Sequence, residues 1–112
     1  MILESEFVYL KQIPDYKAEN LLWKGKGSLA DAGRHISAVI SLLEKENKDL
    51  LIKEAEALII PYAEKEGRGN VLWPVRFALS GKERSVDPWS LITMLGSKES
   101  IARLKKAFLL VK

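Results

Sequence analysis

The sequence predicts an all-α protein, a compact bundle or cage of about five to six helices. Across residues 28–48 and again across 49–67, apolar residues recur at steps of three and four, the spacing of one helix face. After Gly67, prolines and glycines alternate in the order expected of helix starts and stops. A length of 112 residues, 47% of them hydrophobic, suits one core, so residues 1–112 are predicted to form a single domain.

The first long helix is predicted to begin after Ser28, whose hydroxyl can cap the amides of the first turn. Asp31 then places negative charge at the positive end of the helix dipole. The helix should end near Asn47 and Lys48. Its predicted inner face consists of Leu29, Ala32, Gly33, Ile36, Val39, Ile40 and Leu43.

A second long helix is predicted to begin at Asp49 as its cap and to end at the Gly67-Arg68-Gly69 break. Its apolar stripe consists of Leu51, Ile52, Ala55, Leu58, Ile59 and Tyr62. Pro61 lies within this stripe's span and removes a backbone hydrogen bond, so a kink or a division into two helices is expected near Ile60.

The remaining helices are predicted to be shorter. Pro74 is predicted to begin one of them, and Gly81 is predicted to end it. In the next helix, Asp87 is predicted to be the cap and Pro88 the first helical residue, and the helix should end before Gly96. Ser97 should begin the last helix, whose inner residues are Ile101, Leu104, Ala107, Phe108 and Val111.

The segment before Ser28 has weaker signals. Residues 7–10 suit a short extended or helical piece, Pro14-Asp15 suits a turn, and residues 21–23 suit a docking segment. Gly25-x-Gly27 and Gly67-x-Gly69 lack the strand and third glycine of a nucleotide-binding fingerprint, so both are interpreted as loop hinges.

Composition excludes several classes of site. The chain has no cysteine and one histidine, His35, so neither a disulfide nor a zinc site is expected, and His35 is interpreted as structural or exposed rather than catalytic. No run approaches the roughly 18 apolar residues of a membrane span. The start has no secretory signal, and the lack of cysteine fits a reducing cytoplasm, the expected location.

Positive charge is concentrated towards the carboxyl terminus. Residues 68–112 contain nine Lys or Arg against three Asp or Glu, a net charge of +6, whereas residues 1–67 have a net charge of −3. Such a region can neutralise phosphates, although a solvated helix face has the same composition.

Residues 72–108 read LWPVRFALSGKERSVDPWSLITMLGSKESIARLKKAF and are the most distinctive stretch. A Pro-Val-Arg-x-Ala-Leu-Ser-Gly block is followed by a Ser- and Pro-containing turn, a Leu-Gly pair and an Arg-Leu pair. This order and spacing strongly resemble the terminal segment of bacterial glutamyl-tRNA synthetases. Looser similarity at Pro14-Asp15-Tyr16 and at residues 21–24 extends the resemblance over nearly the whole chain.

The resemblance implies that the chain receives the anticodon stem-loop of tRNA, with Arg76, Ser85 and Pro88 as the contact site. An arginine offers a planar fork of donors that suits a phosphate or a base edge. Val86 stands where the family usually has proline, and the proline comes two places later at Pro88. Lys82, Arg84, Arg68 and Arg103 are candidates through their charge alone: a solvated helix face is the favoured interpretation of each, and a phosphate contact is the alternative.

Each candidate also has a structural interpretation. Apart from the resemblance, Arg76 would be expected to form an ion pair with a neighbouring carboxylate or to be a surface charge. Asp87 is interpreted as a helix cap. Trp73 and Trp89 are interpreted as core or capping residues and are left out of the site, although exposed tryptophans can stack on bases.

The two signatures of class I synthetases, of the His-Ile-Gly-His and Lys-Met-Ser-Lys-Ser types, are absent from the sequence. We therefore expect no catalytic residue, metal or cofactor in this chain. ATP and Mg²⁺ are implied for a parent glutamate–tRNA ligase. The expected partners are glutamate tRNA and the catalytic and preceding anticodon-binding domains of that parent, with neither membrane nor DNA.

Two alternatives stay open at this level. A free-standing helical module with the same fold would bind another RNA or a protein. A helix-turn-helix DNA-binding protein would also have short basic helices near its carboxyl terminus.

Overall fold

Helices account for most of the protein that the computed structural model describes, which comprises residues 17–22, 28–46, 48–81 and 86–111. A short 3-10 helix spans Ala18–Leu21, and the α-helices are α1 (Leu29–Glu46), α2 (Ile52–Glu66), α3 (Arg68–Ser80), α4 (Pro88–Leu95) and α5 (Ser97–Val111). The described residues contain no strand. The all-α prediction is confirmed.

Helix α1 begins and ends as its sequence predicts. The Ser28 hydroxyl accepts a hydrogen bond from the Asp31 amide at 3.1 Å, which satisfies one of the free donors of the first turn. Its buried face contains six of the seven predicted inner residues together with His35, and only Leu29 is half-buried.

The predicted cap of α2 was wrong. The helix begins at Ile52, and the Glu54 carboxylate accepts from the Leu51 amide at 3.0 Å. Asp49 instead reaches the start of α5, where its Oδ1 accepts from the Ser97 amide at 2.9 Å. The Ser97 hydroxyl in turn donates to the Lys48 carbonyl at 2.6 Å. The segment between α1 and α2 therefore ties down the amino terminus of α5.

Helix α2 continues past Pro61 as one helix, so the expected division near Ile60 is wrong, and the alternative of a kink stays a prediction. Proline deprives the carbonyl four residues earlier, that of Ala57, of its helical donor. Both Ala57 and Pro61 are exposed, so water can donate to that carbonyl.

Helix α3 is the central element, because it contacts the 3-10 helix and every other α-helix. It begins at Arg68 directly after Gly67, whose φ of 103° permits the sharp change of direction. The prediction that Pro74 opens this helix was wrong: Pro74 lies inside it and is buried. The predicted end at Gly81 is confirmed, with φ of 69° in the left-handed region.

Helices α4 and α5 follow their predicted signals. Asp87 caps α4 by accepting from the Ser90 amide at 2.9 Å, and Pro88 is its first residue. Gly96, with φ of 85°, separates α4 from α5. The buried side chains form one hydrophobic cluster to which all five α-helices contribute. The Cα radius of gyration is 12.9 Å, as expected for a compact chain of this length.

Several predictions for the amino-terminal segment lie outside the described residues, namely those on residues 7–10, Pro14-Asp15, Trp23 and Gly25-x-Gly27. Leu21, from the predicted docking segment, is 1% exposed and belongs to the core. Among the described helices, none combines the length and apolar character needed to cross a membrane.

Candidate functional site

The central helix leaves one stripe of its surface incompletely buried. From Val71 to Ser80, only Leu72, Trp73 and Arg76 are not buried. These residues lie at steps of one and three and share a face with Gly69 one turn earlier. Because the rest of this part of α3 is enclosed by other helices, the stripe is where a ligand can reach it.

Trp73 is held by three contacts. Its indole N–H donates to the Asn20 carbonyl at 2.9 Å, which joins α3 to the 3-10 helix. Its ring lies 6.0 Å from that of Phe77, and the guanidinium carbon of Arg76 lies 5.6 Å from the ring centroid. A cation at this distance from an indole is attracted by the ring's quadrupole, so Trp73 helps to position Arg76.

The amino terminus of α4 faces this stripe. Asp87 is fixed by its capping bond to Ser90, and Pro88 is fixed by its ring at the first helical position. Trp89 follows at the next position, half-buried and packed against the core. The backbone here is therefore well defined on both sides of the proline.

These two walls form a cleft of about 260 Å³, here called the α3–α4 cleft, lined by Arg68, Gly69, Leu72, Trp73, Arg76, Asp87, Pro88 and Trp89. It brings together three residues singled out from the sequence: Arg76, Pro88 and Arg68. Of the other four, Ser85, Lys82 and Arg84 lie outside the described residues, and Arg103 lies away from the cleft.

Arg68 lies in the cleft wall with its side chain 56% exposed. Its guanidinium contacts the Glu64 carboxylate at 3.0 Å, one turn earlier along the chain. A pair this exposed is weak, about 0.5 kcal/mol, so an incoming phosphate can compete for the arginine.

Arg103 does not lie on the surface, and the expectation of a phosphate contact there is corrected. Its side chain is 0% exposed and donates to the Leu79 carbonyl at 2.7 Å and to the Glu99 carboxylate at 2.8 Å. The Leu79 carbonyl lies in the last turn of α3, where carbonyls run out of helical donors. Arg103 therefore caps α3 from α5.

The sequence held a signal for this burial. Ser97, Ser100, Arg103, Leu104 and Ala107, the buried residues of α5, follow one another at steps of three, three, one and three. Arg103 thus shares the inner face of the helix with the predicted core residue Leu104, and helical spacing would have identified it where charge did not.

The two cleft tryptophans were left out of the site when the sequence was interpreted. Both pack against the core, as expected, but both also line the cleft beside Arg76 and Pro88. The available signal was spacing: Trp73 precedes Arg76 by three residues on the same helix, and Trp89 adjoins Pro88.

His35 is a buried residue that joins α1 to α2. It is 3% exposed, and its Nδ1 lies 2.8 Å from the Tyr62 hydroxyl. Burial lowers the pKa of the imidazole, and the neighbouring positive charge of Arg34 lowers it further. The neutral ring is therefore favoured in the folded protein.

A larger cavity of about 620 Å³ lies elsewhere, between the end of α1 and the start of α5, lined by Leu43, Glu44, Lys48, Asp49, Ser97, Lys98 and Ile101. Its charges are mixed, and Asp49 and Ser97 are engaged in the capping bonds that join the two regions. Within the described residues, no three metal-binding side chains of the His, Cys, Asp or Glu type come together.

Comparison with known proteins gives consistent results. The family model for an anticodon binding domain matches residues 2–108. Glutamate–tRNA ligase of Clostridium botulinum (strain Eklund 17B / Type B) is 32% identical over 119 aligned residues, covering 98% of this chain and 24% of the ligase. Glutamate–tRNA ligase of Azorhizobium caulinodans is 38% identical over 78 residues, covering 68% of this chain and 16% of the ligase. The chain thus spans less than a quarter of either relative, and no solved structure matches it.

Proposed function

Since this chain belongs to the anticodon-binding domain family, we propose that it binds the anticodon stem-loop of glutamate tRNA on behalf of a parent glutamate–tRNA ligase. The observation that supports this site most directly is the meeting of Arg76 and Pro88 in the α3–α4 cleft. They come from different helices, and the resemblance of the sequence had assigned both to the RNA contact.

The chemistry of the cleft suits RNA. Arg76 presents a planar set of donors whose orientation is restrained by Trp73, so less side-chain entropy is lost when it binds. Arg68 supplies an exposed positive charge for a phosphate. Ser85, Lys82 and Arg84 belong to the same proposal and lie in the segment that connects α3 to Val86.

In this proposal the chain positions the tRNA and takes no part in the chemical reaction. It holds the distal end of the tRNA, and a catalytic domain elsewhere in the parent attaches glutamate to the acceptor end, using ATP and Mg²⁺ that we assign to that domain. The preceding anticodon-binding domain of the parent also binds this end of the tRNA. We place this activity in the cytoplasm. The free-standing RNA- or protein-binding module is not favoured, because both matched relatives are ligases.

The test is binding of a labelled glutamate-tRNA anticodon stem-loop to the full 112-residue chain, followed by fluorescence anisotropy. Arg76→Ala should weaken binding about 10-fold, since a charge-assisted contact contributes about 1.5 kcal/mol. Arg34→Ala is the matched control: it removes the same side chain from the exposed face of α1, outside the cleft.

Affinity should also fall as salt rises, with a log-log slope near −0.7 for each RNA phosphate neutralised. Stem-loops with unrelated anticodons and duplex DNA should compete poorly. If Arg76→Ala and Arg34→Ala bind equally well, or if unrelated stem-loops compete as strongly as the cognate one, the proposed function is wrong.

A further inference from the structure

We propose that Arg103 is a positioning residue for RNA binding, although it is buried and does not line the α3–α4 cleft. It holds the last turn of α3, residues 77–80, and through that turn it keeps Arg76 oriented in the cleft. This inference rests on the proposed function, in which Arg76 contacts the RNA. It differs from a purely structural role because it predicts a loss of RNA affinity in protein that is fully folded.

The first link joins Arg103 to the end of α3. Its guanidinium donates to the Leu79 carbonyl at 2.7 Å, and the Glu99 carboxylate, one turn earlier on α5, accepts from Nε at 2.8 Å. Glu99 therefore aims the guanidinium at the carbonyl. Helix ends fray where carbonyls have no helical donor, and a charged donor enclosed by the protein is a strong replacement. Without Arg103, the last turn of α3 should open more readily.

The second link joins this turn to the backbone of Arg76. The Arg76 carbonyl accepts from the Ser80 hydroxyl at 2.9 Å. In a regular α-helix it also accepts from the Ser80 amide, four residues later. Ser80 is buried and adjoins Leu79, the residue that Arg103 holds. When the last turn opens, Ser80 moves and the backbone of Arg76 loses donors that fix it.

The third link joins the turn to the side chain of Arg76 through two aromatic rings. Phe77 begins the last turn, and its ring centroid lies 6.0 Å from that of Trp73. The guanidinium carbon of Arg76 lies 5.6 Å from the centroid of the Trp73 ring. Because Phe77 packs against the ring that Arg76 lies over, a displaced turn also leaves the guanidinium less restrained. Arg76 then loses more side-chain entropy when it binds RNA, and the affinity falls.

The first experiment measures binding of the glutamate-tRNA anticodon stem-loop to Arg103→Met and Arg103→Lys, at a temperature where thermal unfolding shows every variant to be folded. Arg103→Met keeps an unbranched side chain without a donor and should weaken binding about three- to tenfold, the cost of ordering one long side chain. Arg103→Lys keeps one charged donor and should weaken binding less. The log-log salt slope should stay unchanged, because the buried Arg103 contacts no phosphate; a direct phosphate contact would reduce its magnitude by about 0.7.

Two matched controls separate positioning from loss of charge and from loss of stability. Lys105→Met removes an exposed positive charge from the same helix. Gly33→Ala crowds the contact of α1 with Phe108 and Val111 of α5. Both should bind the stem-loop within about 1.5-fold of the unmodified chain, since neither residue lines the cleft.

The second experiment tests whether Arg103 acts through Arg76. In an Arg76→Ala background, Arg103→Met should change the affinity by less than about 1.5-fold, because the group that it positions is gone. Amide hydrogen exchange gives an independent readout of the last turn. The Ser80 and Gly81 amides should exchange faster in Arg103→Met than in Gly33→Ala, because only the first variant opens this turn. Equal exchange in the two variants would contradict the link through α3.

The outcomes separate this inference from the proposed function. If Arg76→Ala weakens binding but Arg103→Met binds as tightly as the unmodified chain, the positioning role is wrong and the anticodon-binding function stands. The same conclusion follows if Arg103→Met weakens binding equally with and without the Arg76 side chain. If the unmodified chain does not bind the stem-loop, the proposed function fails and the positioning role with it. Should Arg103→Met not fold, an unchanged affinity of Arg103→Lys overturns the positioning role.

Discussion

Arg76 and Arg103 have the same side chain in opposite environments. Arg76 lies over the indole of Trp73 in a cleft open to solvent, whereas Arg103 is enclosed and donates to Leu79 and Glu99. A buried guanidinium is tolerated only where hydrogen bonds replace its water. The same positive charge therefore serves a candidate binding site in one case and the assembly of two helices in the other.

Arg103→Ala should lower the free energy of unfolding by about 2 to 4 kcal/mol, because it removes a buried side chain and leaves the Leu79 carbonyl without a donor. Lys105→Ala is the control on the same helix: its exposed pair with Glu44 should contribute less than about 1 kcal/mol. Denaturant unfolding measures both. Equal stability of the two variants would contradict the capping role of Arg103.

For single residues, the sequence predicted which residues belong to the candidate site better than it predicted whether each of them is buried. Arg76 and Pro88 were found through a motif, and both lie in the cleft. Arg103 was misjudged because its charge suggested the surface, although helical spacing places it beside Leu104; one of the partners that make its burial possible is the carbonyl of a residue 24 positions away. Such a partner cannot be read from local sequence. The tryptophans were predicted to pack on the core, and their second role as cleft walls depends on how α3 meets α4.

At the scale of elements, helices α1 and α5 pack closely at Gly33, where the absence of a side chain leaves room for residues of α5. A Cβ on Gly33 would lie 2.8 Å from a methyl group of Val111 and 3.8 Å from the ring of Phe108. The first distance is below van der Waals contact, so with any larger residue at this position either the side chain of Val111 or the helices must shift. α1 and α5 form the most extensive helix pair in the described protein, which makes this a sensitive position.

Gly33→Ala should destabilise the protein by about 1 kcal/mol, because an overpacking cost of roughly 1–3 kcal/mol exceeds the helix propensity gained by replacing glycine. In a Val111→Ala background the clash is relieved, and the same change should become neutral or stabilising. Thermal unfolding of the four proteins of this cycle provides the measurement. A stabilising effect of Gly33→Ala in both backgrounds would show that the side chain of Val111 simply yields.

The elements whose limits were predicted correctly have signals that act locally. Ser28, Gly81 and the Asp87-Pro88 pair each satisfy groups within one turn of themselves. The predictions at Asp49 and Pro74 were wrong because tertiary packing, rather than local sequence, determines where those helices begin. Asp49 found the distant amide of Ser97, and the buried ring of Pro74 is accommodated inside the central helix by the surrounding core.

For the molecule as a whole, the charge count overstates the positive surface available to RNA. Residues 68–112 have a net charge of +6, but Arg103 is buried and Lys105 is paired with Glu44. Arg68 and Arg76 remain at the cleft. Arg68 is paired with Glu64 in an equally exposed bridge, and Lys98 on α5 is exposed, so the positive charge of the described residues is divided between the cleft and the last helix.

Stability of the whole fold should depend on pH through His35, which joins α1 to α2 by its contact with Tyr62. Burial and Arg34 lower the pKa of this imidazole below its ordinary value of 6.5, while Glu66 and Asp31 oppose the shift. The unfolded chain then binds the proton more readily than the folded protein. Stability is highest above pH 6.5 and is lost as the pH falls towards the lower pKa of the folded state.

The measurement is the free energy of unfolding between pH 5 and pH 7.5, a window above the pKa of Glu54 and of Glu66, because hydrogen bonds hold the pKa of both carboxyls below 4.5. The unmodified chain should lose stability on acidification at no more than about 1.4 kcal/mol per pH unit, the limit for one proton. His35→Gln removes the titrating group and keeps a hydrogen-bonding side chain beside Tyr62, so its profile should be flatter. If the free energy of unfolding of His35→Gln depends on pH as steeply as that of the unmodified chain, another group causes the pH dependence and the prediction for His35 is wrong.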